Sequence, residues 1–193
     1  MKRKDLILAI AAPLALLGLF LIPSVLSAQA AGETFTATAT IQFGGKSAAE
    51  PVRIVINQYM TEAERVAVVD ALKKGGTPAA KQVLDKMKDL GTIEVLGRTT
   101  PVKFAFARET GTGGRIITLV TAQPIHYVKA GNPADKAKAG YEVGLTFLFL
   151  DANGSGDGEM APAAKIRMDD SGAIVVDDYG GAKVWLKDVA KAK

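Results

Sequence analysis

The chain contains no cysteine, a single histidine and a single tryptophan in 193 residues. Without thiols it forms no disulfide scaffold, no thiolate metal site and no cysteine nucleophile. It needs no staples either, since a domain of about 160 residues buries roughly 70% of the surface its unfolded chain exposes. His126 is the only imidazole, so metal sites built on several histidines are excluded, and a Ser-His-Asp arrangement would have to use that one ring. No Gly-x-Ser-x-Gly elbow accompanies it. In Pro124-Ile125-His126-Tyr127-Val128 the ring falls on an expected short strand, where a packed or surface histidine is the ordinary reading. A strong charge of one sign is also missing. Beyond the N-terminal segment, acidic and basic residues are interspersed and only residues 187–193 form a basic cluster, so no nucleic-acid footprint is expected. No stretch repeats at a period of 20–50 residues, which excludes solenoids and propellers.

What is present begins with an address. Lys2, Arg3 and Lys4 precede an apolar run from Leu6 to Leu26, broken by Pro13, Gly18 and Pro23, and Ala28-Gln29-Ala30 supplies the small-x-small pattern that signal peptidase reads. The pattern predicts a signal peptide over residues 1–30 and one exported domain over 31–193, secreted or periplasmic. A run this long also approaches the ~20 residues that span a bilayer, so a retained anchor is the competing reading. The two prolines and the cleavage pattern favour removal, with no stable membrane insertion afterwards. No cysteine follows the run, which excludes a lipid-anchored lipoprotein. Taking out Lys2, Arg3, Lys4 and Asp5 leaves 21 basic residues against 19 acidic ones, so the apparent basicity is partly an export signal.

Residues 34–43 alternate, with Phe35, Ala37, Ala39, Ile41 and Phe43 on one side and threonines on the other, the period of a half-buried strand. Gly44-Gly45 turns the chain into a second strand through Val52, Ile54 and Ile56, making a hairpin. The period then changes. Thr61-Glu62-Ala63-Glu64 is a capping box, predicting a helix to about Lys74 that stops at Gly75-Gly76. Thr77 and Pro78 open a second helix with Ala80, Val83, Leu84 and Met87 as its stripe, ending near Leu90-Gly91. Strand signals return at 92–96, 102–108, 115–122, 142–150, 164–168, 173–177 and 183–189. The expected fold is α+β: a mostly antiparallel β-sheet of about nine strands, barrel or sandwich, with an inserted two-helix hairpin. Residues 144–150 are apolar on both faces and belong centrally in the sheet, whereas 129–140 read as a flexible surface loop.

Candidate chemistry is sparse. Asp151, Asn153, Ser155, Asp157 and Glu159 place oxygen side chains at alternate positions with Gly156 at the sixth, a spacing suited to Ca²⁺, which takes six to eight hard oxygen ligands from a curled loop. Pro162 stands where an EF-hand requires a bidentate Glu and no helix pattern flanks the segment, so a polar hairpin connection is the alternative. Gly111-Thr112-Gly113-Gly114 lies between strands and reads as a turn rather than a phosphate cradle. Asp157, Glu159, Asp169 and Asp178 are the carboxylates from which a hydrolase would draw its acid and base, provided two of them share a cleft in unlike surroundings. Phe104 with Phe106, Phe147 with Phe149, and Trp185 lie on strands, where they serve either as core or as pocket walls for an apolar ligand.

Thr61-Glu62-Ala63-Glu64-Arg65, Gly113-Gly114-Arg115-Ile116-Ile117, Gln123-Pro124-Ile125, Gly156-Asp157-Gly158-Glu159-Met160, Ala163-Ala164-Lys165-Ile166 and Tyr179-Gly180, in that order, resemble a family of uncharacterised exported bacterial proteins. The resemblance implies a bacterial source and export. It implies no activity. The functional expectation is therefore a non-enzymatic module that binds a small apolar ligand or an envelope protein, needing no cofactor. A calcium-dependent structural or adhesion module and a carboxylate-based hydrolase are the alternatives.

Overall fold

The computed structural model describes residues 32–43, 46–126 and 139–192; the expected leader, residues 127–128 and most of the expected 129–140 loop lie outside them. In chain order the elements are β1 (Glu33–Phe43), β2 (Lys46–Ile56), α1 (Glu62–Leu84), β3 (Gly91–Val95), β4 (Arg98–Val102), β5 (Phe104–Glu109), β6 (Arg115–Thr121), β7 (Val143–Leu150), β8 (Ser155–Met168), β9 (Ile174–Tyr179) and β10 (Val184–Lys191).

All the strands join one antiparallel sheet in the order β4-β3-β2-β1-β10-β8-β7-β6-β5, with β9 paired to β8 off that path. Only Lys103 separates β4 from β5, the two ends of the path, and its N–H donates to the Val120 carbonyl of β6 at 2.9 Å. The sheet thereby curls into a nearly closed barrel of nine strands, a closure that leaves few exposed edges. The expected pairing of the first two strands is present, with Phe35 opposite Ile54 and Ala37 opposite Val52, and the expected Gly44-Gly45 turn lies outside the described residues.

Alternation decides which residues fill the barrel. Phe35, Ile54, Ile93, Ile117, Leu119 and Leu186 are fully buried and belong to one core cluster. On the opposite face of β5, β6 and β7, Phe104, Val120 and Leu145 are buried too, because α1 and the β8–β9 ribbon pack over that side. Both faces are covered, which is why residues 144–150 read as apolar throughout. Each such Leu or Phe contributes roughly 1.5–3 kcal/mol by leaving water.

The helical segment differs from the expected hairpin. One helix runs from Glu62 to Leu84, broken internally at Gly75 (φ −145°, ψ 18°) and Gly76 (φ 63°, ψ −158°). The glycines permit this backbone, and Pro78 needs no N–H in the turn that follows, so helical bonding resumes at once. The capping box forms as expected: Glu64 N–H donates to the Thr61 hydroxyl at 3.3 Å, and Thr61 N–H donates to the Glu64 carboxylate at 2.8 Å. The helix ends at Leu84, with Asp85 as its cap, rather than near Leu90. Gly91 is no C-cap but the first residue of β3, where a Cβ would lie 2.0 Å from the Val55 carbonyl oxygen.

Two further differences concern strands. Among the described residues ten are present, one more than expected, because residues 98–102 form β4; and β8 starts early, at Ser155, inside the segment read as a loop. Pro101 sits in β4 at the end of the strand path, and Pro162 sits at the register shift between Val143 and Leu145, the two kinds of place where a missing N–H is tolerated. Within the described part of 124–128, residues 124–126 are not a strand.

Candidate functional site

The carboxylates singled out for calcium do not converge. Asp151 lies in the turn after β7, where its Oδ1 accepts from the N–H groups of Asn153 (2.8 Å) and Ser155 (2.9 Å). Those donors, Ser155 first, hold its carboxyl below the usual range. Ser155, Asp157 and Glu159 then occupy alternate positions on extended β8, spaced roughly 6.6 Å per step. Asp157 accepts from Lys187 at 2.9 Å, while Glu159 pairs with Lys183 and takes the Tyr179 hydroxyl at 3.2 Å. A hard cation needs its oxygens curled around one point, whereas here Asp157 and Glu159 lie along a strand engaged by lysines and Asp151 is engaged by the backbone of its own turn. Among the described residues no group of three or more acidic or imidazole side chains gathers to hold a metal ion.

Of the four carboxylates considered for hydrolysis, Glu159 and Asp169 line a common groove. Asp169 belongs to the β8–β9 turn, accepting from Ala173 N–H and the Ser171 hydroxyl, both at 2.8 Å; the Ala173 bond leads in keeping its carboxyl low. Asp178 accepts from the Tyr141 hydroxyl at 2.5 Å, which raises that phenol's pKa. Each carboxylate thus answers to its own partner. His126 stands apart, half-buried, with its Nδ1 3.5 Å from the Arg98 guanidinium.

The groove is the feature that sequence reasoning did not locate. It holds about 620 Å³ on the outside of the barrel, between the outer face of β5–β8, the helix and the β8–β9 ribbon. Its floor follows from strand register: Phe106 opposes Thr118, which opposes Phe147, which opposes Glu159, and in the next row Arg108, Ile116 and Phe149 stand side by side. Phe147 and Phe149 stack with centroids 6.1 Å apart. Arg65, Val69 and Lys73, at four-residue intervals on α1, form one wall. Met168, Ile174, Val176 and Tyr179 form the other. Arg65 is held by Glu62 and lies over the Phe106 ring at 5.1 Å. Arg108 reaches the Ser171 hydroxyl at 3.5 Å and closes one corner. Phe149 remains 43% exposed and Trp185, on β10 opposite Glu159, 46%. The four phenylalanines named as candidate pocket walls therefore line the outside of the barrel, while aliphatic side chains and Phe35 fill its inside. A second hollow beside Thr77 is lined by Lys165, Arg167 and Asp177 together with Leu72, Pro78 and Ile166.

A second cluster lies across one end of the barrel. Glu33 of β1 is 6% exposed and receives two bonds from Arg115 of β6 (2.9 and 2.7 Å), one from Lys191 of β10 (2.8 Å) and one from the Tyr59 hydroxyl (2.5 Å). Burial works to raise its pKa, but the bonds from Arg115, Lys191 and Tyr59 outweigh it and bring the carboxyl from 4.5 to about 2. Burial and the neighbouring carboxylate push the Tyr59 phenol far up. A signal for this cluster existed: Glu33 precedes Phe35 and Arg115 precedes Ile117 on the inward-facing period of their strands, so two opposite charges face the core.

No family model, curated protein or solved structure matches this chain. The fold defines it as a mostly antiparallel, nearly closed β-barrel carrying one helix.

Proposed function

We propose that the protein is a non-enzymatic binding module of the bacterial envelope, secreted or periplasmic, that holds an apolar ligand or partner segment in the groove outside its barrel. The carrying observation is the groove: its volume lies within the range of ligand sites, its floor is aromatic, and Phe149 stays exposed beside it. Exposed aromatic surface costs solubility and persists where it meets a partner. Export is inferred from the basic start, apolar run and Ala28-Gln29-Ala30 pattern at the N-terminus. The reading requires no metal, cofactor or nucleic acid, and it is favoured over hydrolysis because Glu159 is committed to Lys183 and Asp169 to its own turn.

The test is titration with 1-anilinonaphthalene-8-sulfonate, an apolar fluorophore. Enhanced fluorescence is expected, and Phe149→Asp should weaken it at least tenfold while leaving the thermal transition within a few degrees, since that side chain is half in water. Equal enhancement in both proteins would refute the groove as the site.

A further inference from the structure

We propose that the groove's ligand is a single-chain amphiphile with an acidic head, its chain laid over the phenylalanines and its head beside Arg108. This rests on the binding-groove reading and names the ligand class.

The charges lining the groove are unevenly compensated. Both of its carboxylates are already answered, Glu159 by Lys183 and the Tyr179 hydroxyl, Asp169 by Ala173 N–H and the Ser171 hydroxyl. Arg65 is answered too, donating to the Glu62 carboxylate at 2.8 and 2.6 Å. Arg108 and Lys73 are not. Among the described residues neither pairs with a carboxylate, and the Arg108 guanidinium makes one bond, to the Ser171 hydroxyl at 3.5 Å. Asp169 feels Arg108 through space without pairing with it. A guanidinium presents several N–H donors in a planar fork that suits a carboxylate or a phosphate, so most of this one's capacity is left for a ligand.

The placement of these groups sets the ligand's direction. Phe106, Thr118, Phe147 and Glu159 form one cross-strand row from β5 to β8, roughly 14 Å at about 4.8 Å per strand. Arg108 stands two residues beyond Phe106 on the same face of β5, roughly 6.6 Å along the strand, and Arg65 lies over the Phe106 ring. Lys73, about two helical turns from Arg65, adds positive charge to the same wall. The row is thus cationic at β5 and anionic at β8. A head placed at β8 would meet Glu159. Placed at β5 it meets Arg108, while the chain crosses Phe106 and Phe147, a span comparable to an extended decyl chain. A neutral or basic head gains nothing from Arg108, whereas an acidic one gains a charge-assisted bond beside an apolar floor. An acidic head on an apolar chain is the chemistry shared by fatty carboxylates and phosphate-headed lipids.

Isothermal titration calorimetry below the micelle concentration, at pH 8, compares decanoate, decyl phosphate, decan-1-ol and decyltrimethylammonium. Decanoate or decyl phosphate should bind at least tenfold more tightly than decan-1-ol, the tighter of the two assigning the head, and decyltrimethylammonium should bind most weakly. Arg108→Gln should weaken the preferred anion about tenfold and leave decan-1-ol within about twofold. Lys73→Gln should weaken the anion about two- to threefold, and Lys74→Gln, at a residue outside the groove lining, should leave it unchanged. All three side chains are exposed, so the variants should fold as the parent does. Decan-1-ol binding as tightly as both anions, or equal losses in Lys74→Gln and Arg108→Gln, would overturn the acidic head and leave the groove standing. So would a failure of every decyl ligand to bind while the fluorophore still depends on Phe149. Failure of the decyl ligands together with fluorophore enhancement unchanged by Phe149→Asp would overturn the groove as well.

Discussion

Replacing Glu33 by Gln tests the charged cluster that closes one end of the barrel. The buried carboxylate titrates at about 2 in the folded chain against an ordinary 4.5, because the Arg115, Lys191 and Tyr59 bonds outweigh its burial. A lowered folded pKa means that the unfolded chain binds the proton first as pH falls, so the stabilisation is complete above about pH 5 and disappears as pH drops towards 2. The difference is worth about 3 kcal/mol, a large share of the 5–15 kcal/mol typical of a domain. Glu33→Gln should therefore be about 3 kcal/mol less stable than the parent at pH 7, because Arg115 and Lys191 lose their counter-charge. The gap should narrow below pH 4.5 and nearly close at pH 2. Urea unfolding followed by tryptophan fluorescence, at pH 7, 4.5, 3 and 2, measures it. A gap that stays constant across that range would refute the reasoning, since a packing defect has no reason to titrate.

Three other perturbations follow from the geometry. Thr77→Val removes both bonds to Ile166 while keeping the shape, and leaving those two buried backbone groups unpaired should cost about 1–3 kcal/mol in urea midpoint analysis. Gly91→Ala drives a Cβ into the Val55 carbonyl oxygen, so a loss above about 3 kcal/mol or failure to fold is expected, read as expression yield and thermal midpoint. Adding millimolar Ca²⁺ or a chelator should leave the thermal transition unchanged, because the oxygens of Asp151, Asp157 and Glu159 do not surround a common point; a clear rise with Ca²⁺ would restore the calcium reading.

Much of the fold was legible because its signals are local. Alternation in residues 34–43 and 52–56 gave the first hairpin with its inward face, and Thr61 with Glu64 marked the start of the helix. Glycine misled where its use was not local: Gly91 is required by the Val55 backbone across the sheet, which no neighbouring residue announces. Gly75 and Gly76 mark a break, but whether a break makes one kinked helix or two depends on how Thr77 docks on Ile166 of β8, 89 residues away. Residues 151–159 show the converse, since Asp, Asn, Gly and Ser favour turns and hid the first half of β8. The groove was illegible as a site, because Phe106, Phe147 and Arg65 come together only when three distant segments stack. Its materials were visible all the same, as pairs of phenylalanines on strands whose other face is aliphatic.

The most direct measurement is a nuclear magnetic resonance titration of the labelled protein with 1-anilinonaphthalene-8-sulfonate, mapping the amides that shift. The account predicts shifts at Phe106, Thr118, Phe147, Phe149 and the 171–176 edge, with the barrel-filling residues Ile117, Leu119 and Leu186 unmoved. Shifts concentrated on the barrel interior, or on the face opposite the helix, would contradict it.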